Sequence, residues 1–331
     1  MSGAEQERVA RRTAQDGGGE AEVARAAGRA GQEGRGGGEA ELAREFEARR
    51  GRLVRLAYAS TGSLAEAEDC VQEAWLRLQR AADRDTIKDL GAWLTTTVTR
   101  LALDALGSAK ARRERHAGPW LPEPVVEHVG DDPAERVTLD ESVSMALLVV
   151  LQTLSPAERT AFLLHDVFGM PFEEVAEVVG RSAASVRQLA SRARRHVRDE
   201  RPRFPPSPRQ QAELLDAFTS ACADGDLDRL LALLDPGVVW RADGGGKVRA
   251  APVLAHGAAP IARLLVGYAR RPPLWMRAAV VNGAPGLVMR DADGVLSVLA
   301  LTVDAGRVTA IDVIRDPDKL AGVRGFDDDQ E

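Results

Sequence analysis

Met170 to Val197 reads MPFEEVAEVVGRSAASVRQLASRARRHV, two short helical stretches around a tight turn, with a line of arginines on the second. Helices that cross closely at such a turn need a small residue on the first, a flexible turn and an apolar residue on the second. Ala176, Gly180 and Val186 supply these in order. Gly180 can take the positive φ of the turn, and Ser182 suits the N-cap of the helix that follows. The outward positions at its start are Ser182, Ala183, Ala184, Arg187, Gln188 and Ser191, and the candidate DNA contacts are Arg181, Ser182, Ala184, Ser185, Arg187, Gln188, Ser191, Arg192 and Arg195. Arg187 and Gln188 carry the groups for bidentate contacts with guanine and adenine edges. Arg181, Arg192 and Arg195 suit phosphates. An ordinary αα-hairpin with a solvated basic face is the plainer alternative. The three packing positions and the local excess of arginine favour a DNA-reading helix-turn-helix.

Around this stretch the composition is not that of a globally basic nucleic-acid binder. The 331 residues carry a net charge of −6, so a basic site must be local. A hydrophobic content of 44% supports real cores, and the length allows two or three domains. Cys70 and Cys222 stand far apart with no CxxC or Cys/His cluster, so neither a zinc site nor a disulfide framework is expected. No apolar run reaches spanning length and the N-terminus is polar, which leads to the expectation of a cytoplasmic protein with no membrane contact, no cofactor and no metal. Lysine occurs only at Lys88, Lys110, Lys247 and Lys319 in a chain that otherwise uses arginine.

Working outward, residues 1–40 are rich in Gly, Ala, Glu and Arg and read as a disordered extension. Residues 41–116 read as a helical domain. Ser63 and Glu66 (SLAE) form a capping signature before a helix whose apolar face holds Ala67, Val71, Ala74 and Leu78. A third helix runs from about Lys88 to Arg113, with Trp93 expected in the core. Residues 117–137 read as a linker, although Trp120 and Leu121 are apolar and will seek a surface. A second helical domain covers 138–203, with SPAE at Ser155 to Glu158 as a capping signature. A proline-rich linker follows at 204–208.

Beyond it, 209–320 changes style to helices and short strands separated by turn pairs such as Asn282-Gly283 and Ala305-Gly306. This predicts an α+β domain with a curved antiparallel sheet. Residues 321–331 read as a frayed acidic tail. Asp243, His256, Asp291 and Asp304 are the acid–base candidates of this domain, but no paired His/Asp motif or metal spacing links them, so no catalytic site is expected.

The helix EDCVQEAWLRL (Glu68 to Leu78), the helix AWLTTTVTRLALD (Ala92 to Asp104) and the SPAER to SRARR stretch together resemble a bacterial sigma factor of the extracytoplasmic-function type. The C-terminal part resembles the SnoaL-like branch of the NTF2-like cone fold. Sigma factors with this extension carry three strings, found here as WLPEP (Trp120, Leu121, Pro122, Glu123, Pro124), DGGGK (Asp243, Gly244, Gly245, Gly246, Lys247) and DPDKL (Asp316, Pro317, Asp318, Lys319, Leu320). The last departs from the family's NPDKL at Asp316, whose added charge is expected to weaken the contact made there. The implied architecture is multidomain: two all-α sigma domains, the second a helix-turn-helix, followed by an α+β NTF2-like/SnoaL-like cone.

The resemblance implies a protein that binds core RNA polymerase and promoter DNA. Asp69, Gln72 and Glu73 would contact the polymerase, and Arg84, Lys88, Arg100, Lys110, Arg112 and Arg113 would track the −10 element. The helix from Ala183 would read the −35 element. The cone would contact the linker and the first helical domain within the same chain and modulate activity in place of a separate anti-sigma factor. The residues leave room for a small ligand in the cone and identify none. Two rivals remain at this point: a helix-turn-helix regulator that is no polymerase subunit, and a SnoaL-like isomerase or hydrolase with an accessory DNA-binding part.

Overall fold

The computed structural model describes residues 39–81, 86–113, 118–128, 143–200, 207–250, 253–269 and 275–326. The chain divides into two units, Met1–Arg50 and Gly51–Glu331. Of the first, residues 39–50 are described and are helical; the expectation of disorder for 1–40 otherwise falls outside the described residues. All that follows concerns the second unit.

Its first helical module comprises α1 (51–61), α2 (Leu64–Arg80) and α3 (Leu90–Arg113). Ser63 caps α2 by accepting from Glu66 N at 3.3 Å, and the helix buries Ala67, Cys70, Val71, Ala74 and Leu78. Asp89 caps α3 by accepting from Ala92 N at 2.9 Å, and Leu94, Val98, Ala102 and Leu106 form its buried stripe. Trp93 is half-buried, so the core expectation holds only in part. The second module comprises α4 (Met145–Thr153), α5 (Pro156–Phe162), a π-turn over Leu163–Val167, α6 (Phe172–Val179) and α7 (Ala183–Glu200). Ser155 and Glu158 form a reciprocal capping box. Gly180 ends α6 at φ 67°, ψ 37°, a left-handed cap that glycine adopts without steric cost.

The two helical modules share a core. Leu56 of α1 packs with Ala161, Leu164, Met170, Val175, Val178, Val186 and Ala190 of the second module. Arg159, almost fully buried, donates from Nη1 to Ser60 O at 2.6 Å, and Arg52 Nη2 donates to Phe168 O at 2.9 Å.

The C-terminal domain is α+β. Helices α8 (Pro208–Asp224), α9 (Leu227–Leu233) and α10 (Ala258–Ala269) cover one face of a seven-stranded sheet in the order β1-β4-β5-β6-β7-β2-β3. The strands are β1 (Val126–His128), β2 (Leu234–Asp243), β3 (Leu254–His256), β4 (Trp275–Val281), β5 (Ala284–Arg290), β6 (Leu296–Asp304) and β7 (Arg307–Ile314). Asn282-Gly283 and Ala305-Gly306 turn the two tight hairpins with both residues at positive φ (50° and 75°, 49° and 76°), the mirror-type turn that matches strand twist. The sheet is mixed, which corrects the antiparallel expectation: β2 runs parallel to β7. The chain between them is long enough for a crossover, so hairpin logic does not apply there.

Three boundaries also differ from the sequence reading. Ser207 and Gln210 form a capping box that starts α8 inside the segment read as a proline-rich linker. The linker read at 117–137 contains β1, which pairs antiparallel with β4 through Val126, Glu127 and His128. Within the tail read from 321, Phe326 is 4% exposed and stacks on His128 at 4.1 Å between ring centroids. Residues 327–331 lie outside the described residues.

Both faces of the sheet are therefore covered. The helices bury Phe218, Leu230, Trp240, Ile261, Leu287, Leu299 and Val313 on one side. Val281, Val288, Val298, Ala300 and Ile314 pack on the other, together with Leu121 of the linker and Met145 of α4.

Candidate DNA-reading surface and linker clasp

The α7 face is as the sequence pattern orders it. Val186, Ala190, Ala193 and Val197 are buried, while Arg181, Ser182, Ala184, Arg187, Gln188, Ser191, Arg192 and Arg195 are exposed. Ser185 is half-buried, and its N–H is capped by Ser182 Oγ at 3.3 Å. Arg187 Nη2 reaches Glu173 Oε1 at 2.7 Å and its guanidinium lies 5.3 Å from the Phe172 ring centroid. Arg194 pairs with Asp166 at 2.6 Å. These pairs are solvated, so they hold the side chains weakly and leave them ready to exchange partners. Glu173 and Phe172, absent from the sequence reading, orient the foremost base-reading candidate.

On the first module, Asp69 and Gln72 are exposed on α2, and Glu73 is half-buried and accepts from Arg77 Nε at 2.8 Å. Lys88, just before α3, and Arg100 on α3 are exposed. Arg84 lies outside the described residues, as do the side chains of Lys110, Arg112 and Arg113 on the last turns of α3. The structure thus places Lys88 and Arg100, but not the whole track, on one module.

The three strings come together. WLPEP runs extended between the first module and the cone, and its alternating prolines matter. Proline has no N–H to satisfy, so only residues 121, 123 and 125 must find acceptors. Leu121 N donates to Asp243 Oδ2 at 2.9 Å, Glu123 N to Gly62 O at 2.8 Å, and Val125 N to Asn282 Oδ1 at 3.2 Å. Acceptors therefore come alternately from the cone, the first module and the cone. Pro122 and Pro124 are buried between them.

Lys319 closes the cone side. Its ammonium donates to Leu121 O and to Asp243 Oδ2, each at 2.6 Å, and sits 3.4 Å from the Trp120 ring centroid. Asp243 Oδ1 accepts from Gly245 N at 2.9 Å. Burial works against ionisation of Asp243, yet Lys319 and the Leu121 and Gly245 amides outweigh it and hold the carboxyl below its usual range.

Glu123 closes the other side. Its Oε2 accepts from Ser63 Oγ and Leu64 N, both at 2.9 Å, at the start of α2. A carboxylate there meets the positive end of the helix. Burial nevertheless raises the Glu123 pKa, against the lowering effect of these bonds. Tyr58 OH donates to Glu123 O at 2.6 Å and accepts from Asn282 Nδ2 at 2.8 Å, joining the first module to the cone by a chain of two bonds. Burial pushes this phenol far up. Tyr58 was missed by the sequence reading, and Ser63 was read only as an N-cap, without its contact to Glu123. The Asn-Gly pair was legible as a turn, but not that the Asn side chain would carry a contact across domains.

The rest of the strings support this clasp. A side chain at Gly244 would strike Val248 O, and one at Gly245, which sits at φ 65°, would strike the Asp316 carboxylate. Asp316 is buried; its carboxylate accepts from Asp318 N at 3.1 Å and its carbonyl from Lys319 N and Leu320 N, each at 3.1 Å. The aspartate's carboxylate and carbonyl thus brace the turn that presents Lys319. Leu320 is buried with Leu121. Pro317 is exposed, and Lys247 pairs with exposed Asp318 at the rim.

Of the acid–base candidates, Asp243 belongs to the clasp. Asp291 accepts from Asp293 N and Val295 N and pairs with Arg315. His256 is exposed on edge strand β3, and Asp304 ends β6. Among the described residues no group of three or more His, Cys, Asp or Glu is placed to hold a metal ion, and no helix is long and apolar enough to cross a membrane.

Comparison with known proteins bears on both modules and the cone. Residues 46–112 match the family model for sigma-70 region 2, and residues 144–197 that for sigma-70, region 4. The chain is 42% identical over 292 residues to the ECF RNA polymerase sigma factor SigJ of Mycobacterium tuberculosis (strain ATCC 25618 / H37Rv), covering 84% of this chain and 93% of that protein. It is 39% identical over 287 residues to the probable ECF RNA polymerase sigma factor SigI of the same strain, covering 84% of this chain and 94% of that one. The crystal structure of M. tuberculosis extracytoplasmic function sigma factor SigJ superposes with a TM-score of 0.71 at 41% identity, over 85% of this chain and 98% of that chain.

Proposed function

This chain belongs to the extracytoplasmic-function RNA polymerase sigma factors, and from that premise we propose that its own C-terminal cone regulates it, in place of a separate anti-sigma factor, by holding the linker between its two promoter-reading modules. Asp69, Gln72 and Glu73 contact core polymerase. Polar groups serve such a surface because they are solvated before binding and hydrogen-bonded after it. Lys88 and Arg100, with Arg84, Lys110, Arg112 and Arg113, follow the −10 DNA backbone. Arg187 and Gln188 read the −35 element in the major groove, with Arg181, Arg192 and Arg195 on phosphates.

One observation carries the regulatory reading: a single five-residue peptide is gripped from both sides. Asp243 and Lys319 of the cone bind Leu121, while Glu123 of the same peptide caps α2 of the first module. Promoter elements lie apart along DNA, so the two modules must take a matching separation. In the clasped state Leu56 lies in the helix-turn-helix core and the linker is spoken for. Initiation then requires polymerase and DNA to favour the released state over the clasped one by their differential contacts.

Run-off transcription with core polymerase tests this, comparing the full chain, a chain ended near residue 205, and Lys319→Met. The expected outcome is initiation by the full chain and a changed output from both altered chains. Equal output from all three would remove the regulatory role and leave the sigma factor assignment untouched.

A further inference from the structure

Where the first module, the linker and the second module meet, the backbone polar groups are matched. At the end of α1, Gly62 N donates to Tyr58 O at 2.7 Å and Gly62 O accepts from Glu123 N at 2.8 Å. Ser60 O accepts from Arg159 Nη1 at 2.6 Å. One side chain breaks the pattern. Gln152, on the last turn of α4, has both Nε2 and Oε1 buried with no hydrogen-bond partner among the described residues. A primary amide can donate twice and accept through its carbonyl oxygen, and here none of those bonds is made.

The amide is covered from outside its own module. A Cβ built on Gly62 would lie 2.6 Å from Gln152 Nε2, 3.6 Å from its Cδ and 3.7 Å from Pro122 Cβ. The end of the side chain therefore rests against the last residue of the first module's α1 turn, beside a buried linker proline. Neither neighbour has a polar side chain, and proline has no N–H to offer. Gly62 sits at φ 76°, where glycine is favoured, and so nothing projects from it to hold the amide away. The residues that α4 buries, Met145, Leu147, Leu148, Val150 and Leu151, are all apolar, while Gln152 as a whole is only half-buried. Parting the second module from α1 and the linker would return its amide to water.

The burial therefore separates two states in energy. With the clasp closed, the amide has lost water and gained no bond. With it open, the amide is hydrated. A polar group left in that condition shifts an equilibrium by a factor on the order of ten. Pro122 lies between Leu121, which the cone holds, and Glu123, which the first module holds, so the opposing contact falls at the middle of the gripped peptide.

We propose that Gln152 is a positioning residue for release of the linker: its unbonded amide works against the closed arrangement of Gly62, Pro122 and α4 and keeps the grip of Asp243, Lys319 and Glu123 reversible. The effect on closure stands on the contacts at Gly62 and Pro122. Its bearing on transcription rests on the regulatory reading of the cone.

Amide hydrogen exchange of the full chain, with no polymerase or DNA present, tests the first part. It is read at Glu123, whose N–H is held by Gly62 O and is freed when the linker leaves α1. Gln152→Met keeps a side chain of similar length without the amide and should slow this exchange by about tenfold. Gln152→Leu should act in the same direction, so the result does not depend on the fit of one side chain. Gln152→Glu puts a carboxylate of the same shape into the dry contact and should speed exchange. If neither apolar variant slows exchange, or if Gln152→Glu slows it, the proposal is overturned. Run-off transcription with core polymerase by the same full-length variants tests the second part. Output from Gln152→Met should fall by at least about twofold, because polymerase and DNA must then supply the difference. Slowed exchange with unchanged transcription would overturn the proposed regulation and leave the effect on closure standing, so the two failures are told apart.

Discussion

The charges on α7 and the charges at the clasp follow opposite rules. Arg187 and Glu173 are 52% and 69% exposed, and the other arginines of that face stand in solvent with them. Lys319 and Asp243 are 7% and 0% exposed, and every contact of the Lys319 ammonium described above is directed inward. A charge that waits for a partner must stay hydrated, so that exchanging water for a phosphate or base edge costs little. A charge that fixes a tertiary arrangement is buried, and its value lies less in its net stabilisation than in the penalty for leaving its partner alone. The same residue classes thus stay solvated and exchangeable on one surface and fix positions on the other.

The strongest way to break this contrast is at the buried pair. Lys319→Met leaves the Asp243 carboxylate buried without its cation and should destabilise the chain by about 3–5 kcal/mol, read from urea unfolding. A cost near that of a surface pair would place the two charge sets in one class. On α7 the effect should fall on recognition instead. Arg187→Ala or Gln188→Ala should lose about 1–3 kcal/mol of discrimination between −35 sequences, with little change in unfolding midpoint. Arg195→Ala should weaken binding evenly on all sequences and flatten its salt dependence, measured by DNA titration at several ionic strengths. If the three variants behave alike on every sequence, the division into base and phosphate contacts is wrong.

Acid sharpens the picture within the clasp. The raised Glu123 makes the folded chain bind a proton more readily than the unfolded one. Stability should therefore rise as pH falls from Glu123's raised folded value to the usual glutamate range. The lowered Asp243 acts in reverse: its contribution is present above the usual aspartate range and is lost as pH falls through its depressed folded value. Unfolding midpoints against pH should show a shallow rise followed by a fall. Glu123→Gln should delete the rise and keep the fall. The smallest effect belongs to Lys247→Met at the rim, whose solvated partner is Asp318. Its midpoint should stay within experimental scatter of the unaltered chain, whereas a loss like that of Lys319→Met would make the rim part of the grip.

Much of the helical half was legible because its signals are local. The capping serines at 63, 155 and 182, the glycine at 180 and the apolar stripe of Val186, Ala190, Ala193 and Val197 all act within one or two turns. The Asn-Gly and Ala-Gly turns were legible for the same reason. What was missed depends on distant segments meeting. The linker was read as a connector because three strand residues carry too little pattern to announce β1. Phe326 was read as part of a frayed tail because its stacking partner, His128, lies 198 positions earlier. The parallel pairing of β2 with β7 leaves no turn signature between the strands.

By itself the sequence determined most of the helical segments of the two modules, several of their caps, and which side of α7 stays exposed, since these follow from periodicity and caps over a few residues. The family resemblance named the three strings that meet. Only the tertiary structure decided that Leu121 lies between Asp243 and Lys319, that Glu123 turns to α2, that Tyr58 and Asn282 bridge the domains, and that Leu56 serves the other module's core. Those pairings are choices among many acceptors and apolar faces of equal local quality, and only simultaneous burial of all of them selects one.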